Sequence, residues 1–335
     1  MQEVTPDVLM NELLINARAG LNTMVWGPPG IGKSQIAYQV GEALGAKVFE
    51  LRANLFDPID VRGGLKVVEQ EDGSYKTRYG IPEDYPDSDT DEPIVLLVDE
   101  LPNAPKATQN ALLQLLLDRK IGQYTLPKNT TIIAAGNRAI DRAAVHDMPT
   151  PVANRFSHYV LATKPEDWVK WAHRSNINPG LISFIRYRPQ LLHDMDVKQK
   201  AFPTPRSWDF VNKRMDAHGQ PSADFNGVSS LVGEGAATEF CAFMRVADSL
   251  PDIDELIKNP KGAQVPTEMS VIYALTGALI SRSTSDNFED IMQFVGRLPI
   301  EYQVAFVRDA VTRDESLIET DAFTEFAESN ADVLL

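Results

Sequence analysis

The sequence predicts an α/β fold built on a five-stranded parallel sheet, followed by an all-helical second half. Three observations carry this. A glycine-rich loop, Gly27-Pro28-Pro29-Gly30-Ile31-Gly32-Lys33-Ser34, joins a short apolar stretch to a segment with helical spacing. Apolar runs and helical patterns then alternate as far as Thr163. From Pro165 onward the pattern is helical and the strand signals stop.

The elements follow in order. Residues 5 to 20 read as a helix capped by Thr5, with Pro6 in its first turn and Gly20 at its end. Asn22 to Trp26 is the first strand, and Gln35 to Leu44 a helix with Ile36, Val40 and Leu44 four residues apart. Lys47 to Leu51 is the second strand. Leu65 and Val67, then Tyr75, Thr77 and Tyr79, alternate on either side of Asp72-Gly73, which predicts a hairpin inserted at about 63–80. Pro82 to Pro93 is an acidic loop. Ile94 to Val98 is apolar throughout, as in a strand buried on both faces, and ends in Asp99-Glu100. Pro105 opens a helix that runs to Asp118. Thr131 to Ala135 is the fourth strand, leading into Gly136-Asn137, and His158 to Leu161 is the fifth. Helices are expected at 167–174, 179–187 and 206–217. A turn-rich boundary follows at 219–227, then further helices at 238–250, 267–280, 286–298 and 301–311. The expected domains are therefore 1–163 (α/β), 164–219 (helical) and 220–335 (an acidic helical region).

The glycine loop fits the P-loop pattern G-x-x-x-x-G-K-[ST] at every fixed position. Its backbone N–H groups and the helix N-terminus suit phosphates, so Gly27 to Ser34, with Gln35 next on the helix, form the expected nucleotide-binding stretch. Lys33 supplies positive charge at the β- and γ-phosphates, and the Ser34 hydroxyl suits Mg²⁺. No base-reading motif is legible in the sequence, so ATP and GTP stay open.

Acids at a strand end lie where ligands sit in such sheets. Asp99 is the expected Mg²⁺ partner and Glu100 the residue that orients and deprotonates water. Asn137 ends a buried strand on the same edge and could position the water or sense the γ-phosphate; an Asx turn is the alternative. Arg155 precedes the fifth strand, where a guanidinium could reach a neighbouring subunit's nucleotide, or simply be solvated. Arg138 and Arg142 lie near enough in sequence to serve instead. In Thr204-Pro205-Arg206-Ser207-Trp208, Thr204 caps a helix from whose N-terminus Arg206 projects.

Composition narrows the classes. The net charge is −15, and Leu250 to Leu335 holds about ten of those negative charges, which disfavours nucleic acid as a partner. Cys241 is the only cysteine and the five histidines are scattered, so neither a disulfide framework nor a zinc site is expected. No apolar run reaches membrane-spanning length, and Met1-Gln2-Glu3-Val4 lacks the features of a secretory signal. A reducing, cytoplasmic setting is the expectation.

Taken together, GPPGIGKS, LLVDE, AAGN, NRF and TPRSW resemble Walker A, Walker B, sensor 1, arginine finger and sensor 2 of an AAA+ ATPase. More narrowly, the chain is similar to the MoxR group, whose hairpin insertion Gly63 to Gly80 matches. The run Asp57 to Gly64 and a possible hairpin near Ile121 to Pro127 fit as well. The resemblance covers about residues 5 to 215. It implies Lys33, Ser34, Asp99, Glu100, Asn137, Arg155 and Arg206 in the roles above, with residues 164–219 as a helical lid carrying sensor 2. One departure is Asn154 before Arg155, where the group more often has aspartate. The resemblance further implies Mg²⁺-ATP between subunits of a homo-oligomeric ring, expected to be a hexamer. It also implies chaperone-like work on a protein client, often one with a von Willebrand factor A domain. A nucleic-acid motor and an ATP-gated assembly module with incidental hydrolysis remain the competing readings.

Overall fold

The computed structural model describes residues 3–141, 148, 150–196, 198–218 and 224–330. The chain divides into two compact units, Met1–Ala162 and Thr163–Leu335.

In the first unit the chain runs β1 (Glu3–Val4), α1 (Pro6–Ala19), β2 (Asn22–Trp26), α2 (Lys33–Leu44), β3 (Lys47–Arg52) and α3 (Pro58–Arg62). There follow β4 (Leu65–Glu69), β5 (Tyr75–Tyr79), β6 (Ile94–Asp99), α4 (Lys106–Asp118), β7 (Lys120–Ile121) and β8 (Tyr124–Thr125). The unit closes with β9 (Thr130–Gly136), α5 (Thr150–Ala153) and β10 (Phe156–Leu161). Thr5 caps α1 as its sequence predicts, accepting from the Val8 N–H, and Gly20 ends it in the left-handed region.

The main sheet is parallel throughout, in the order β1-β10-β2-β9-β6-β3. The expected five strands are all present, and the two-residue β1 adds a sixth at the edge, too short to give a sequence pattern. Because side chains alternate across a strand, β6 serves two cores at once. Val95 and Leu97 pack with Leu9, Ile36 and Val40 of α1 and α2, while Leu96 and Val98 pack with Leu112 and Leu115 of α4. Burial on both faces explains the unbroken apolar run.

The β4–β5 ribbon is antiparallel, pairing Leu65 with Tyr79 and Val67 with Thr77. Gly63 at its base has φ 84°, and a Cβ there would lie 1.7 Å from the Gly80 carbonyl oxygen, so only glycine lets the two ends close. The ribbon is exposed on both sides: Val67 is 69% and Tyr75 67% accessible on one face, and Lys66, Lys76 and Arg78 are exposed on the other.

The second unit is helical: α6 (Pro165–Arg174), α7 (Pro179–Tyr187), α8 (Pro205–His218), α9 (Phe225–Val232) and α10 (Glu234–Asp248). These are followed by α11 (Ile253–Lys258), α12 (Met269–Arg282), α13 (Phe288–Val295), α14 (Ile300–Arg313) and α15 (Asp321–Ser329). One core runs from Trp168 to Ala274 around Phe184, Trp208 and Phe240; another gathers Leu279, Phe288, Phe294 and Phe306. The first draws on α6 to α10, with Ala274 of α12. Among the described residues no helix is long and apolar enough to cross a membrane.

Candidate nucleotide site

The sheet order places β2 between β10 and β9, with β6 beyond β9, so three carboxyl ends from distant parts of the sequence meet. The register aligns them: Trp26 faces Gly136, and Val98 faces Ala134, which in turn faces Met24. The residues just past these positions are Gly27, Asn137 and the Asp99-Glu100 pair. Gly27 N–H donates to the Gly136 carbonyl at 3.3 Å, extending the ladder into the loop.

The P-loop turns through Gly30 and Gly32, with φ 78° and 93°, into α2. The helix begins after Gly32, which has no side chain to cap it. That is the arrangement an anion completes. Lys33 is only 7% exposed, and its ammonium donates to the Gly27 and Pro28 carbonyls and to Asn137 Oδ1, each at 2.9 Å. Three acceptors match the three protons of an ammonium, which offsets the cost of burying the charge.

Asn137 connects two parts of the site. Its Oδ1 accepts from Lys33, and its Nδ2 donates to Glu100 Oε2 at 3.2 Å. Glu100 in turn sits in the left-handed region at φ 56°, a strained position for a non-glycine residue and one that clusters at functional sites. Its N–H donates to Asp99 Oδ1 at 2.9 Å. Ser34 Oγ donates to Asp99 Oδ2 at 2.7 Å, so the hydroxyl and carboxylate converge. Two hard oxygen donors so placed fit a Mg²⁺ ion, which takes oxygen ligands and keeps several waters.

Arg155 is exposed, one residue before β10. Arg138 donates to Asp141, at 2.9 Å from Nη2, and to Glu3 Oε1 at 3.3 Å, and is thereby held within its own unit. Arg142 lies outside the described residues. Arg206 is exposed in the first turn of α8, in the helical unit. There the Ser207 N–H donates to Thr204 Oγ1 at 3.0 Å while the Thr204 N–H donates to Ser207 Oγ at 2.7 Å, a reciprocal cap with serine in the place glutamate usually takes.

Three positions had no legible sequence signal. Gly136 is pressed against Pro102: a Cβ would lie 2.3 Å from that ring. Trp26 Nε1 donates to His158 Nδ1 at 2.9 Å, and His158 Nε2 lies 2.7 Å from the Ala153 carbonyl. This ties the strand before the P-loop to the segment that carries Arg155. An isolated Trp and an isolated His 132 residues apart give no motif.

The parallel sheet, its strand order and the converging loop define an AAA+ P-loop fold. Residues 22–156 match the family described as AAA domain (dynein-related subfamily). No curated protein matches the sequence. Among solved structures, NtrX from Brucella abortus is similar at 15% identity over 97% of this chain and 67% of that one, with a TM-score of 0.43. The RuvB Holliday junction branch migration motor of Thermotoga maritima is similar at 15% identity over 82% and 80%, with a TM-score of 0.37. Similarity at that level carries nothing about what this chain does.

Proposed function

We propose that this protein is an ATPase of the MoxR-like AAA+ type that remodels or matures a partner protein. The observation that carries the reading is the hydrogen-bonded chain from Lys33 through Asn137 to Glu100 beside the uncapped N-terminus of α2. It joins a phosphate-binding cation to a carboxylate able to serve as general base.

In this reading, triphosphate oxygens replace the loop carbonyls as acceptors for Lys33 and engage backbone N–H groups of residues 30–35. Ser34 and Asp99 hold Mg²⁺, which would neutralise charge on the phosphates. Glu100 orients water and takes its proton, and Asn137 sets the position of that carboxylate according to whether Lys33 engages a γ-phosphate. Arg155, exposed at the rim, completes the site of a neighbouring copy in a homo-oligomeric, hexameric ring. Arg206 contributes from the helical lid, and the exposed ribbon meets the client. A client with a von Willebrand factor A domain rests on the MoxR resemblance, and a cytoplasmic setting on the single cysteine. The acidic balance weighs against a nucleic-acid motor.

The decisive experiment uses tagged Glu100→Gln protein with Mg²⁺-ATP in a pull-down from its host. Losing a general base should slow hydrolysis by about 10² to 10⁴ while leaving ATP binding intact. Recovery of one dominant protein supports remodelling and names the client. Wild-type turnover by the variant removes Glu100 from its role. Recovery of nuclease-sensitive nucleic acid promotes the motor.

A further inference from the structure

The helical unit holds a cavity of about 440 Å³, within the range of small-molecule sites. Its walls come from α6, α7, α12 and α14, and none of the sequence motifs falls on it.

The lining combines an apolar wall with a polar one. Ile177, Ile182, Ile280 and Phe306 supply the first. Against them stand Arg186, Arg313, Asp309, His173 and two tyrosines, Tyr273 and Tyr302, whose rings meet edge to face at 5.4 Å. Arg186 and Asp309 form a bidentate pair between α7 and α14, through Nε to Oδ2 at 2.8 Å and Nη2 to Oδ1. The Asp309 carboxylate is buried, and both its oxygens are already engaged. Arg313 donates through Nη1 to the carbonyls of Ile280 and Ser283, at 2.9 Å each, which pins the guanidinium at the cavity's edge.

This leaves a surplus of donors. Arg186 commits Nε and Nη2 to Asp309, and Arg313 commits Nη1 to carbonyls, so each guanidinium has further N–H groups. His173 Nε2 is buried with no hydrogen-bond partner among the described residues, a state native structures rarely leave uncompensated. Burial, seconded by Arg186 and Arg313, pushes the His173 imidazole below its ordinary range against the pull of Asp309, so the ring is neutral at pH 7. Two guanidiniums against one carboxylate therefore leave one positive charge on the wall. No group of three metal-ligating side chains occurs among the described residues.

We propose that this cavity binds a small organic monoanion, its carboxylate against Arg186, Arg313 and the tyrosine hydroxyls and its apolar body against Ile177, Ile182, Ile280 and Phe306. One negative charge matches the wall's surplus, and a planar carboxylate suits guanidinium donors. The site is independent of the nucleotide reading, and its ligand would act on the helical unit directly.

The test is calorimetric titration of the full chain with benzoate, phenylacetate and hexanoate, and with benzamide and benzylamine as neutral and cationic counterparts. At least one carboxylate should bind at millimolar concentration or below, about tenfold or more tighter than benzamide, with benzylamine silent. Ala305→Phe, which fills the space without removing a charge, should abolish binding while the melting temperature holds. Tyr302→Phe, which keeps the ring, should weaken binding several-fold and serves if Ala305→Phe does not fold. Silence from all three carboxylates, equal binding of benzamide, or binding unaffected by these variants would overturn the proposal.

Discussion

At the residue scale, the candidate site depends on groups that sit where their own preferences would not put them. Lys33 is an ammonium kept nearly out of water by three acceptors, and Glu100 holds a backbone conformation that favours glycine or asparagine. Gly136 matters through its small size. Its missing side chain lets Pro102, two residues after Glu100, close against β9. Gly136→Ala should therefore destabilise the protein by about 1–3 kcal/mol through overpacking. If the site hydrolyses ATP as proposed, the same substitution should slow turnover, because the Pro102 shift moves Glu100. A chemical denaturation curve alongside steady-state turnover checks both, and an unchanged midpoint would mean that the Pro102 segment yields freely.

At the element scale, the β4–β5 ribbon stands apart. Cross-strand register puts Leu65, Val67, Tyr75 and Tyr79 on one face and Lys66, Lys76 and Arg78 on the other. Two strands alone are marginal in water, and here neither face is covered. The ribbon therefore contributes little to the stability of the α/β unit. Replacing Leu65 and Val67 together by Ser should change the unfolding free energy by no more than about 0.5 kcal/mol, as for surface sites generally. A larger loss in a thermal melt would show that these side chains pack against the protein. The sheet behaves oppositely: β6 sits between β3 and β9, and every residue from Ile94 to Val98 is buried.

At the scale of the whole molecule, the proposed ring makes one sharp prediction. If Arg155 acts on a neighbour's nucleotide, Arg155→Ala should bind ATP yet hydrolyse it about 10³- to 10⁵-fold more slowly. Mixing it with Lys33→Ala subunits should restore part of the turnover, since each lacks what the other retains. Failure to recover any activity across mixing ratios counts against the shared site and points to Arg155 as a solvated side chain.

Several elements were legible in the chain because their signals are local. The P-loop glycines, the caps at Thr5 and Gly20, the Asp72-Gly73 turn and the apolar run before Asp99 each encode their conformation within a few residues. Lys33, Ser34, Asp99, Glu100 and Asn137 were legible as candidates for the same reason: each lies at a recognisable strand end or loop. How they meet depends on strand pairing between distant segments. Asn137 reaches Lys33 across 104 residues of sequence because β9 pairs with β2, and Ser34 meets Asp99 across 65. The short β1, the strain at Glu100, the Trp26–His158 link and the Arg186–Asp309 pair had no local pattern to read. Periodicity reports which face of an element is buried, whereas these features depend on which other element covers it.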